Sequence, residues 1–137
     1  MSTKSRAPAR HLRRDPEEQR LHDVVAVALG AQYERLGHPV FVNRGPKKSM
    51  GVQGKYPDVV VMKRRGNAVM HVIEVETGAS VNAVEAARQW TEYDEVYERW
   101  FLAVPKHSRA VAKRLIGEHD LQRVELITWS FDFAALP

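Results

Sequence analysis

The chain contains no cysteine. That removes disulfides, thiolate-metal sites and a cysteine nucleophile at once, and it fits a reducing, cytoplasmic setting. Nowhere does the sequence hold the roughly 20 consecutive apolar residues of a membrane span, and its basic N-terminal residues lead into no apolar segment. A soluble, non-exported protein with no membrane partner is therefore expected. Glycine-rich phosphate loops and nucleophile triads are missing too, and His11, His38, His71, His107 and His119 are scattered without ligand spacing.

Acid is also unevenly absent. Residues 1–14 hold Lys4, Arg6, Arg10, Arg13 and Arg14 and no acid, so the net charge of +4 is the property of an arm, and the other 123 residues sum to −1. Between 43 and 65, seven cations (Arg44, Lys47, Lys48, Lys55, Lys63, Arg64 and Arg65) accompany one acid, Asp58. Such patches fit a polyanionic partner, although a basic arm also serves as a disordered, solubilising tail. With 137 residues the chain is long enough for one self-supporting core, which predicts a basic arm at 1–14 and a single domain over 15–137.

Asp15, Pro16 and Glu18 form a helix-start signature, followed by Leu21, Val25, Ala28, Leu29, Gln32 and Leu36 at helical spacing and by Gly37 as a stop. "PVFVN" predicts a short strand and "RGPKKSMGVQGKYP" a basic loop. "DVVVMK" and "AVMHVIEVE" predict two strands joined at Gly66. Asn82 and Glu85 open a helix expected to run to about Arg99. "WFLAVP" is a buried strand, Ser108–Ile116 a short helix ended by Gly117, and "VELITW" a last strand. The order α-β-β-β-α-β-α-β predicts an α/β domain with a mixed sheet flanked by helices.

The two hairpin strands carry three carboxylates. A three-residue loop of Arg65, Gly66 and Asn67 pairs Arg64 with Ala68, and counting back sets Asp58 opposite Glu74 with Glu76 diagonally adjacent. Opposed like charges among Val60, Met62 and Val72 repel one another in a poorly hydrated setting. Oxygen ligands without cysteine favour a hard cation such as Mg²⁺ or Mn²⁺. Alternatively, the acids sit at a solvated sheet end and pair with Lys63, Arg64 or Arg88, and a one-residue slip would separate Asp58 from Glu74.

Pro57-Asp58, a hairpin and Glu74-x-Glu76 together resemble the PD-(D/E)xK nuclease superfamily, and Gln89-Trp90-Thr91-Glu92-Tyr93 reads as the QxxxY motif of its RecB-type branch. The resemblance spans about residues 15–105. It implies a restriction-endonuclease-like α-β-β-β-α-β core with a C-terminal α-β extension. It also implies catalytic roles for Asp58, Glu74, Glu76, Gln89 and Tyr93. Asp58, Glu74 and the Val75 carbonyl would ligate Mg²⁺ or Mn²⁺, and Gln89 and Tyr93 would approach the active site or the DNA backbone. Glu76 departs from the motif, which usually has lysine there, and would serve as a base or a second-metal ligand. Arg88 is a candidate displaced cation, and Glu18 and His22 are candidate additions from the first helix.

The implied function is metal-dependent hydrolysis of DNA phosphodiesters, structure-selective or non-specific, with RNA not excluded and a homodimer expected if two strands are cut. Arg44, Lys47, Lys48, Lys55, Arg64 and Arg65 would hold flanking phosphates. Two readings remain beside it. One is an inactive nuclease-fold module that binds nucleic acid or a partner. The other is an interaction domain using Trp90, Tyr93, Tyr97 and Trp100.

Overall fold

A computed structural model describes residues 15–44 and 48–131, so the basic arm at 1–14 and Lys47 lie outside the described residues. The first helix, α1 (Pro16–Arg35), starts where Asp15 accepts the Glu18 N–H at 2.9 Å and Pro16 takes a position whose N–H would have no helical partner. Its buried face is His22, Val25, Ala26 and Gly30. Ala28 and Leu36, expected on that face, are exposed. Close approach explains the rotation, because a Cβ on Gly30 would stand 2.9 Å from a methyl of Val40.

Five strands follow: β1 (Val40–Val42), β2 (Val59–Met62), β3 (Val69–Val75), β4 (Trp100–Pro105) and β5 (Val124–Trp129). They form one sheet in sequence order, antiparallel from β1 to β3 and parallel from β3 to β5. Side chains alternate across it. Val59, Val61, Ile73, Val75, Phe101 and Ala103 pack with Val25 and Ala26 of α1 on one face. On the other, Val72, Leu102 and Val104 pack beneath α2 (residues 83–96) and under Ala112 and Leu115 of α3 (Arg109–Glu118). The result is an α/β domain with helices on both faces of a mixed sheet.

The hairpin between β2 and β3 differs from expectation at its turn. Lys63 donates its N–H to Ala68 at 2.8 Å and Gly66 donates to Lys63 at 2.7 Å, with φ +71° at Gly66, so the loop has four residues and Arg64 does not pair with Ala68. A bulge between Val61 and Met62 absorbs the extra residue. The pairings Val59–Ile73 and Val60–Val72 therefore carry Asp58 to the level of Glu74, as the count from the shorter loop had it.

Helix α2 joins three consecutive stretches, Ala83–Glu85, Ala86–Trp90 and Thr91–Val96. Asn82 caps it by accepting the Glu85 N–H at 3.0 Å. The middle stretch is wound wide, with the Thr91 N–H reaching back five residues to Ala86. It stops at Val96 rather than near Arg99, because Tyr97 turns extended to start the approach to β4. Conversely α3 runs through Gly117, and the left-handed residue that follows it is Asp120, φ +52°. No helix among the described residues is long and apolar enough to cross a membrane.

Candidate active site

The end of β2 and the end of β3 bring Asp58 and Glu74 together. The Asp58 N–H points at Glu74 Oε1 at 3.4 Å, and Asp58 Oδ2 accepts the Val75 N–H at 2.7 Å. Glu74 and Glu76 face α2, as alternation along β3 requires. From α2, Gln89 donates its amide to Glu74 Oε2, and the Tyr93 hydroxyl hydrogen-bonds the same carboxyl. From α1, His22 stands between two carboxylates, its Nε2 3.1 Å from Asp58 Oδ2 and its Nδ1 3.1 Å from Asp23 Oδ1. Glu18 also reaches this end of the sheet, accepting from the Thr77 hydroxyl rather than closing a reciprocal cap on its own helix.

Glu76 lies deeper than Glu74. It is fully buried, Trp90 Nε1 donates to its Oε2 at 2.8 Å, and Trp129 Nε1 donates to its carbonyl at 3.0 Å. Its charge is still felt one layer up. Burial, then the charges of Asp58 and Glu76, push the Glu74 carboxyl well above the usual carboxylate range, against the bond from Tyr93. Burial and the charges of Glu74 and Asp58 push the Tyr93 phenol up as well, which keeps it a donor at ordinary pH. Burial and Glu74 together push Tyr97 up to about 12.

A raised folded-state value for an acid means that the native chain holds a proton the unfolded chain releases. The resulting stability is present at low pH and is lost as pH climbs from about 4.3, the unfolded value, through the raised one. Glu74→Gln has no proton to lose. In chelator, the melting temperature of this variant relative to the parent is expected to rise between pH 4.5 and 8. A difference independent of pH would count against a strained Glu74.

Beside the acids opens a cleft of about 370 Å³, lined by Gln89 and Tyr93 together with Lys48, Lys55, Tyr56, Arg88 and the acid Glu92. Lys55 also pairs with Glu92 at 2.8 Å. Arg44 is elsewhere, in a different depression beside Asp23 and Val27 of α1. Arg64 and Arg65 sit at the turn, six or more residues from Asp58 along the hairpin, which is roughly 20 Å at about 3.3 Å per residue. Arg64 there donates to the Leu36 carbonyl at 3.1 Å. The expected phosphate-holding cations thus divide, with only Lys48 and Lys55 of the described ones at the cleft and Arg88 joining them.

Asn43 carries no signal in the sequence. Buried after β1, it donates to the Pro57 carbonyl at 2.6 Å and the Met50 carbonyl at 2.8 Å, and accepts from the N–H groups of Ser49 and Met50. Its own N–H reaches the Asp58 carbonyl at 3.0 Å. One side chain therefore ties the basic loop to the residue that precedes Asp58. Asn43→Ala should cost on the order of 3 kcal/mol, since several buried partners lose their bond at once. Urea unfolding with an unchanged midpoint would show the loop to be held by other contacts.

Among the described residues no three His, Asp or Glu side chains are placed to hold a metal ion together. A smaller oxygen set nevertheless suits a hard cation. Asp58 and Glu74 are adjacent acids, one of them desolvated and repelled by two neighbouring charges, and a cation would relieve that repulsion. No protein-family model, curated protein or solved structure matches the chain.

Proposed function

We propose that the chain is a divalent-metal-dependent nuclease that hydrolyses DNA phosphodiesters, with Asp58, Glu74 and the Val75 carbonyl as ligands for Mg²⁺ or Mn²⁺. The observation that carries this reading is the Asp58–Glu74 pair, joined by Gln89 and Tyr93 of one helix, the same two residues that line a cleft with Lys48, Lys55 and Arg88. The order of elements from α1 to β4 supports it, being the one that the nuclease resemblance implies.

A cation held there supplies an activated water and screens the scissile phosphate. The remaining work falls to side chains. His22 and the Val75 N–H both meet Asp58 at its Oδ2, and Gln89 and Tyr93 orient Glu74. Lys48, Lys55 and Arg88 draw the flanking phosphates in. Glu76, clamped by Trp90, stands behind Glu74 and adds to the push that raises its carboxyl.

That same clamp favours a second reading, a nuclease-fold module that binds nucleic acid without cutting it, because the position where the motif has lysine is committed to an internal hydrogen bond. Incubating the pure protein with branched, linear, nicked and single-stranded DNA, and with RNA, separates the two. Cleavage with Mg²⁺ or Mn²⁺ that stops in chelator supports the enzyme. Binding without cleavage of any substrate supports the module.

A further inference from the structure

Tyr56 lines the cleft, and the cutting chemistry leaves it without a task. It stands two positions before Asp58 and is 51% exposed. A large aromatic so open is unusual next to a buried proline, and its placement is not slack. The ring lies close to Gly51, where a Cβ would come within 3.2 Å of Cε1, so a side chain at 51 would need the ring to give by a few tenths of an ångström. Lys48 Nζ lies 6.0 Å from the ring centroid. The cleft beside it, about 370 Å³, falls within the range of small-molecule sites, which begins at about 300 Å³.

The cations sort by what else they do. Lys55 shares its charge with Glu92, whereas Lys48 and Arg88 pair with no acid among the described residues. An exposed aromatic with Lys48 over its ring and Arg88 in the same cleft matches the chemistry of one nucleotide, a planar base with a phosphate on either side. In a duplex the faces of a base are covered by its neighbours and its edge by its pairing partner. Within a duplex no base presents a face to Tyr56, whereas an unpaired base does so while its phosphates reach Lys48 and Arg88.

We propose, resting on the nuclease reading, that the Tyr56 cleft takes an unpaired nucleotide next to the bond to be cut, so that the protein selects single-stranded or flapped DNA over fully paired DNA. Tyr56 is the stacking platform, and Lys48 and Arg88 are the phosphate contacts.

Fluorescence anisotropy of the full chain in chelator reads binding without cleavage. The probes are a labelled oligothymidylate, an abasic strand of the same length and a matched duplex. The parent should bind oligothymidylate more tightly than either of the others. Tyr56→Ala should weaken that binding by about 5- to 150-fold, the range of one lost base–aromatic stack, with little change on the abasic strand or the duplex. Tyr56→Phe should behave as the parent. Melting curves of the three proteins should coincide, since the ring is half exposed.

Equal loss by Tyr56→Ala on all three probes, no loss on oligothymidylate, or a parent that prefers duplex would each overturn the proposal. The nuclease reading fails separately. A Tyr56-dependent preference for single strands in a protein that cuts nothing with Mg²⁺ or Mn²⁺ keeps the platform and removes the enzyme. Cleavage that is indifferent to Tyr56 does the reverse.

Discussion

Asp58→Asn is expected to lower metal-dependent cleavage by about 10²- to 10⁴-fold, the usual value of a group that activates the attacking water. The substitution keeps the shape of the site and also removes one of the charges that push the Glu74 carboxyl up. Asparagine keeps the volume, and its amide oxygen can still accept the Val75 N–H that Asp58 Oδ2 accepts at 2.7 Å. What disappears is one of the two charges that attract a cation. A second readout follows from mass action, because a ligand bound only by the folded chain stabilises it by about 2.7 kcal/mol at a hundredfold excess over its dissociation constant. For a domain of this size that is about 10 °C in melting temperature. The parent should show such a rise with Mg²⁺ or Mn²⁺ and the variant should not. A variant with the parent's rate and the parent's thermal shift would remove Asp58 from the site.

The largest effect on stability is expected at Trp90. Its ring is fully buried in the core beneath α2, and its N–H holds the Glu76 carboxylate at 2.8 Å. Truncation to alanine leaves a large cavity and should cost about 3–5 kcal/mol, a substantial share of the 5–15 kcal/mol by which such domains are stable. Trp90→Phe keeps most of the ring and removes the donor, for about 1–3 kcal/mol. Combining Trp90→Phe with Glu76→Gln isolates the bond itself. If the two changes add with no coupling in urea unfolding, the indole N–H does not hold Glu76, and its burial needs another cause.

The parts of this site legible in the sequence were those that repeat at a fixed period. Alternation along β3 puts Glu74 and Glu76 on one face, and four-residue spacing puts Gln89 and Tyr93 on one side of α2. The level of Asp58 with Glu74 was legible for a weaker reason. The loop is one residue longer than counted, and the bulge between Val61 and Met62 returns the register to the same place. Strong burial on both faces of β2 leaves little freedom to settle otherwise.

What escaped were contacts that close over long sequence distances through a single side chain: Asn43 to Pro57, Thr77 to Glu18, Trp90 to Glu76 and Trp129 to the Glu76 carbonyl. No periodic pattern announces such bonds. Arg64 and Arg65 were placed near the chemistry by their charge alone. Charge carries no address, and the hairpin's length sets them at its far end.

The wide turn of α2 has a consequence for chain-length variants. An ordinary helix advances about 100° per residue, so neighbours such as Gln89 and Trp90 diverge too far for both to reach acids on one strand. Five-residue winding over Ala86–Trp90 is in effect one residue inserted into that helix. Removing the codon for exposed Ala87 would let the backbone close again as a plain helix without breaking it. Gln89, Trp90 and Tyr93 would keep their places relative to one another, while the Asn82 cap and buried Glu85 would swing by about 100° and advance about 1.5 Å. The misfit would pass into residues 77–82, directly after Glu76. A reading-frame-preserving deletion at Ala87 is thus the smallest genetic lesion that keeps every named side chain and still disturbs how they are mounted.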